Sequence, residues 1–157
     1  MKDKRACIFY FLMTVILLDF GNQIRKISHM SYFEKIDNPI FSIVHVNNTG
    51  SAFSLFQDHA KILAYLGIGV ILFVAFQVFK NVSFKDKNNL LALTLFSAGT
   101  LGNIIERLQF GHVVDYIKLN FINFPVFNAF DIMICIGIFL YCLSIIIDIK
   151  KGKNGSN

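Results

Sequence analysis

Charge is what this sequence has least of. Asp, Glu, Lys and Arg make up 16% of 157 residues, against 55% apolar, and they bunch between long apolar runs. A soluble helical domain would show apolar stripes at a period of 3.6 with polar faces between them. The balance here fits an integral membrane protein better. Cysteine is sparse too. Cys7, Cys135 and Cys142 all fall in apolar runs, with no C-x-x-C spacing and no disulfide framework, so they read as small buried residues. His29, His45, His59 and His112 are scattered and no H-E-x-x-H occurs, which argues against a zinc site. There is no internal repeat, and the only low-complexity stretch is the polar tail KKGKNGSN.

What is present is a set of four apolar runs. They predict helices over about 6–24, 62–79, 90–107 and 129–149, each near the length that crosses a hydrocarbon core of about 30 Å. Strands would leave backbone groups unpaired in lipid, so helices are the sensible reading. The first run has an alternative as a cleaved signal peptide, because MKDKRA is basic. No small-x-small cleavage site follows it, and it is read as a retained helix. The expected fold is an all-α integral membrane protein, one membrane domain over 1–157, with four transmembrane helices.

Lysine and arginine set the expected orientation. Lys2, Lys4, Arg5, Lys80, Lys85, Lys87, Lys150, Lys151 and Lys153 share one side; Arg25, Lys26, Lys35, Lys61, Arg107 and Lys118 share the other. Nine against six places both termini in the cytoplasm. Anionic lipid at that face accounts for the basic balance, and no nucleic acid is implied.

The segment between the first two helices carries Phe41, Ile43, Val44 and Val46, then Asn47-Asn48-Thr49-Gly50, then Ala52, Phe53, Leu55 and Phe56. Short β-branched and aromatic runs around a polar turn predict a strand pair, a small extracytoplasmic β-subdomain over about 38–57. The second outer segment, with KLNFINFPVF, is aromatic enough to lie against the interface or against the first.

Polar residues converge at the outer end. Asn103 and Arg107 stand four apart on one helix face, Asp115 follows the turn at Gly111, and Asn128 and Asp131 head the last helix. Asp19, late in an outward-running first helix, reaches the same depth. Each has a plain alternative. Asn128 and Asp131 match an N-cap with an acid at the third position; Asp115 has Arg107 and Lys118 as possible counter-charges; Arg107 is long enough to snorkel; Asp19 has helix packing. Their convergence favours a functional site.

Two nearby carboxyls in a partly desolvated place do not both ionise, so Asp115 and Asp131 are expected to share a proton. That prepares amide hydrolysis, with one carboxylate drawing a proton from water and the other feeding the carbonyl oxygen. The helix N-terminus favours Asp131 as the ionised member. Asn103, Arg107 and Asn128 are expected to hold the pair and the developing charge.

The motifs VNNTGSAFS (Val46 to Ser54), GNIIERLQFGHVVDYI (Gly102 to Ile117) and FNAFDIMI (Phe127 to Ile134) resemble those of lipoprotein signal peptidase, also called signal peptidase II, over nearly the whole chain. The resemblance implies an aspartic peptidase of the bacterial inner membrane. Such an enzyme removes signal peptides from lipoprotein precursors by cutting before a diacylglyceryl-bearing cysteine, and its substrates are lipid-modified prolipoproteins. It also implies Asp115 and Asp131 as the catalytic pair, and a cradle-like β-subdomain in which Asn48 and Gly50 help hold substrate. Asn103, Arg107 and Asn128 match positions around the pair, and Asp19 matches a first-helix acid. The chain departs from the family pattern at Gln23, where Lys is common, at Glu106, where Asp is usual, and at Phe130, where Ala is common. No cofactor or metal is implied. Membrane lipid is the expected surrounding partner, and a monomer the expected state.

The rivals differ in class. A Ser-Lys peptidase has Ser54 and Lys61 but no further context. A small proton-coupled transporter or channel subunit also uses intramembrane aspartates, yet transporters place them near the midplane and often show repeats. A catalytically dead binding protein has no need of both aspartates.

Overall fold

The computed structural model describes residues 3–33, 36–50, 56–81 and 86–154. In chain order they form helix α1 (Lys4–Phe33), strand β1 (Phe41–Asn48), helices α2 (Ala60–Asn81) and α3 (Lys87–Phe110), strand β2 (Val113–Leu119) and helix α4 (Ala129–Asn154). The stretches Lys4–His29, Ala60–Asn81 and Ala129–Ile149 are each long and apolar enough to cross a membrane.

The helix α3 differs from those three because it is the shared partner. It packs on α1, α2 and α4, while α2 and α4 barely touch each other among the described residues. Apart from Leu90 and Ile104, its buried positions are small or polar, including Thr94, Ser97, Ala98, Gly99, Gly102, Asn103 and Glu106. Lipid tails are as apolar as Leu, so helices in a bilayer gain by close backbone approach rather than by hiding Leu and Ile. The large apolar side chains accordingly face outward, as at Phe11, Leu66, Phe73 and Phe139. The interior hydroxyls are satisfied locally: Thr94 Oγ1 donates to Leu90 O at 2.6 Å, and Tyr10 and Ser97 share a hydrogen bond of 2.7 Å between α1 and α3.

Ends are set by recognisable chemistry. Asp86 accepts from Asn89 N at 3.4 Å and starts α3. Gly111, at φ 76°, ends it with its N–H donating to Arg107 O at 3.1 Å. The first helix runs on past the expected 24 to Phe33, because IRKISHMSY contains no Gly or Pro to stop it. Arg25, expected in a loop, is therefore a helix residue. The cysteine expectation is corrected: Cys135 and Cys142 are exposed and Cys7 half-buried, since α4 turns much of its surface outward.

The strand pairing also differs from a local hairpin. β1 pairs antiparallel with β2, with Phe41 opposite Leu119, Val46 opposite Asp115 and Asn48 opposite Val113, and an irregularity between Ile43 and Val46. Of the expected second strand, Ala52, Phe53 and Leu55 lie outside the described residues and Phe56 lies in a turn. Thus the segment between α1 and α2 and the segment between α3 and α4 meet as one sheet, and β2 carries Asp115 into that junction.

Candidate active site

Asp131 is the third residue of α4, and Asn128 is its cap. Asn128 Oδ1 accepts the N–H groups of Phe130 and Asp131 at 2.8 and 3.1 Å, while Asn128 N donates back to Asp131 Oδ2 at 3.0 Å. This is a reciprocal capping box. The cap does not exhaust Asn128. Its Nδ2 donates to Asp115 Oδ1 at 2.7 Å and to Asn103 Oδ1 at 3.3 Å. Asn103 Nδ2, from α3, donates in turn to Asp131 Oδ1 at 2.8 Å. The two carboxyls are thereby held by one pair of asparagines, and capping and site-building are the same set of bonds.

The sheet supplies the other half. Asn48 Nδ2 donates to Asp115 Oδ2 at 2.9 Å, and Asn48 Oδ1 accepts Gly50 N at 3.0 Å. Arg107 reaches across from α3 to donate from its Nη2 to Gly50 O at 2.9 Å. Among the described residues no ion pair joins Asp115 to Arg107 or Lys118. Tyr116 OH accepts Ala129 N at 3.0 Å, which fastens β2 to the first turn of α4. Asp115 is 3% exposed. Burial pushes its carboxyl up to about 6; the Asn48 amide opposes this, the negative Asp131 adds to it, and Asn128 and Arg107 oppose it.

Both carboxyls line one cavity of about 1080 Å³. Asn48, Gly50, Asn103 and Arg107 border its polar end; Gly67, Ile104, Cys135 and Ile136 border its apolar end. The cavity thus runs from the sheet down the faces of α2 and α4 that α3 keeps apart.

Asp19 is not brought in. It is exposed on α1 and lies outside the cavity lining. Gly21, two residues on and about 200° round the helix, faces Phe130, so Asp19 lies on the face of α1 turned away from that contact. Phe130 does not narrow the pocket: it is 2% exposed and points away, and a Cβ at Gly21 or Gly102 would overlap its ring. His29 and His45 lie close after all, ring centroids 5.7 Å apart where α1 meets β1. The sequence reading missed Arg25, whose Nε sits 3.4 Å from Glu106 Oε1. The signal was a charged residue on an unbroken helix continuation.

The fold is shared with solved bacterial membrane enzymes. One determined by the in meso method at 2.3 Å superposes with a TM-score of 0.76 at 23% identity, over 94% of this chain and 91% of that one. The likeness establishes a shared fold. The family model for signal peptidase (SPase) II matches residues 11–147. A lipoprotein signal peptidase of Dehalococcoides mccartyi (strain BAV1) is 39% identical over 125 residues, 77% of each chain. That of Enterococcus faecalis (strain V583) is 32% identical over 160 residues, 98% of this chain and 99% of the relative. The chain belongs to the signal peptidase II family: it is a membrane peptidase that removes signal peptides from prolipoproteins. The transporter reading falls with that assignment.

Proposed function

We propose that Asp115 and Asp131 are the reacting pair of an aspartic endopeptidase that cuts its precursor just before a diacylglyceryl-bearing cysteine. The observation that carries this is the Asn103–Asn128 bridge between the two carboxyls at the wall of one cavity. Asp131, set among N–H donors at a helix start, serves as the base. Asp115, whose buried carboxyl keeps its proton up to about 6, serves as the acid. A water between them loses a proton to Asp131 as its oxygen adds to the scissile carbonyl carbon, and Asp115 gives its proton to the carbonyl oxygen. Collapse breaks the C–N bond. The leaving nitrogen takes the proton from Asp131, and Asp115 recovers its own from the intermediate's hydroxyl. Asn48, Gly50 and Arg107 hold the sheet side of the cavity against the substrate backbone.

The apolar arm between α2 and α4 suits acyl chains, because it lets a substrate stay in lipid while its peptide reaches the carboxyls. In this reading α3, 24 residues and about 36 Å long at 1.5 Å per residue, is the fourth crossing, its polar face hidden by its neighbours. Lys80, ending α2, and Lys87, starting α3, then share the cytoplasmic side with both termini. The carboxyls lie near the extracytoplasmic face, and the chain works as a monomer in lipid.

The test is incubation of the purified protein with lipidated and non-lipidated precursor beside Asp115→Asn and Asp131→Asn. Only the lipidated form is expected to be cut, and each variant is expected to lose turnover by about 10³-fold or more while remaining folded. Full activity in either variant would overturn the pair.

A further inference from the structure

Glu106 is a buried carboxylate that the hydrolysis does not use. It is 3% exposed on α3, one residue before Arg107, and lies outside the cavity lining. Its Oε2 accepts the N–H of Val114 at 2.8 Å, and its Oε1 faces Arg25 Nε at 3.4 Å. Arg25 stands on the outward continuation of α1, with its guanidinium 5.9 Å from the centroid of the Phe110 ring. Three elements, α1, α3 and β2, therefore meet on one side chain.

Val114 immediately precedes Asp115. One edge of β2 is taken by β1, where Asn47 stands opposite Val114 and Val46 opposite Asp115. On the other edge Tyr116 N and Ile117 N donate to Phe127 O at 3.0 and 2.8 Å. The alternation of strand N–H groups breaks at Tyr116 and Ile117, opposite the register shift in β1, and Val114 N and Tyr116 N both donate away from β1, to Glu106 Oε2 and Phe127 O. Glu106 continues that outer edge by one residue where no strand lies. With Val114 N and Tyr116 N both tied, the backbone is held at the 113–114 peptide on one side of Asp115 and at the 115–116 peptide on the other. The carboxyl is then aimed by its backbone as well as by Asn48 and Asn128.

We propose that Glu106 is a positioning residue for the reaction: with Arg25 as its counter-charge, it fixes the backbone before Asp115 and ties the aim of that carboxyl to the seating of α1. The claim rests on Asp115 being a reacting group. A carboxylate holds an N–H more tightly than a neutral acceptor does, and a nearby cation is what keeps a buried carboxylate tolerable. Displacement of a reacting group by about 1 Å can cost on the order of 100-fold in rate, so a tie one residue away has leverage.

The experiment measures kcat and KM on a lipidated precursor for the full chain and for Glu106→Ala, Glu106→Gln, Arg25→Gln, the Arg25→Gln/Glu106→Gln double variant and Asp115→Asn. Glu106→Ala is expected to lower kcat by about 30-fold with KM within about twofold, while circular dichroism shows a folded protein. Glu106→Gln keeps an oxygen for Val114 and returns to within about fivefold of the parent. Arg25→Gln removes the ion-pair partner of the carboxylate and is impaired; the double variant removes that charge and recovers activity. Parental kcat in Glu106→Ala overturns the role, as does a loss confined to KM or proportional to the unfolded fraction. Should Glu106→Ala not fold, failure of the double variant to recover over Arg25→Gln overturns it instead. An active Asp115→Asn enzyme would sink the reading of the pair itself, whereas an inactive one beside a fully active Glu106→Ala removes only the positioning role.

Discussion

Asn128 donates its side-chain amide to Asp115 at 2.7 Å while its side-chain oxygen accepts the N–H of Asp131 at 3.1 Å. A single residue thus holds the Asp115 carboxyl by its side-chain nitrogen and the Asp131 backbone by its side-chain oxygen, and the two functions are separable by substitution.

Asn128→Ser keeps a capping oxygen but has no amide to give Asp115. Stability is expected to stay within about 0.5 kcal/mol of the parent, because Ser caps nearly as well as Asn. Turnover is expected to fall by about tenfold or more. Asn128→Ala loses both and is expected to cost about 1 kcal/mol in addition. Paired denaturation and kinetic measurements decide it, and equal turnover in Asn128→Ser and the parent would refute the division of labour.

Phe130 and Gly102 form a fitted pair, and their variants are expected to compensate. Phe130→Ala opens a void and should cost roughly 3 kcal/mol. Gly102→Ala drives a methyl into the ring and should cost about 1–3 kcal/mol. Combining them should cost less than the sum, since the methyl enters the emptied socket. Strict additivity in unfolding titrations would show that the ring does not occupy that socket in the working protein.

Stability should carry a signature of Asp115. Its carboxyl lies at about 6 folded against 3.8 otherwise, so between these values the folded chain holds a proton that the unfolded chain has released. Stabilisation from this group is complete below the lower value and is lost as pH rises through about 6. Denaturation midpoints taken across that window should fall with pH in the parent and lose this component in Asp115→Asn. Identical slopes in the two proteins would contradict it.

Asn48→Ala removes a donor that favours the ionised form of Asp115. The proton is then held to higher pH, and the alkaline limb of the pH–rate profile should move upward, with about tenfold lower maximal rate. A shift toward acid, or none, would be inconsistent with this hydrogen bond acting on the acid.

Local order in the chain was legible where it depended on helical spacing. Asn103 and Arg107 follow from a four-residue interval, and the cap at Asn128 from a polar residue three before an acid. Rotation about a helix axis was not readable: Asp19 ends on an exposed face while Gly21 meets Phe130. The sheet was legible as strand-forming residues and illegible as a pairing. Asn48 and Val113 find each other through the packing of the helices that carry them, a long-range choice that a polar turn at Asn47 to Gly50 cannot announce. Glu106 showed as an acid beside Arg107, and its link to Arg25 depended on α1 continuing to Phe33.

The ring of Phe130 is lodged against glycines of the first and third helices, next door to Asp131. A ribosome makes the fourth helix last, so a half-finished chain has no plug to seat and no aligned acid beside it. On the proposed pairing of Asp115 with Asp131, a chain still lacking this helix holds only half of the site.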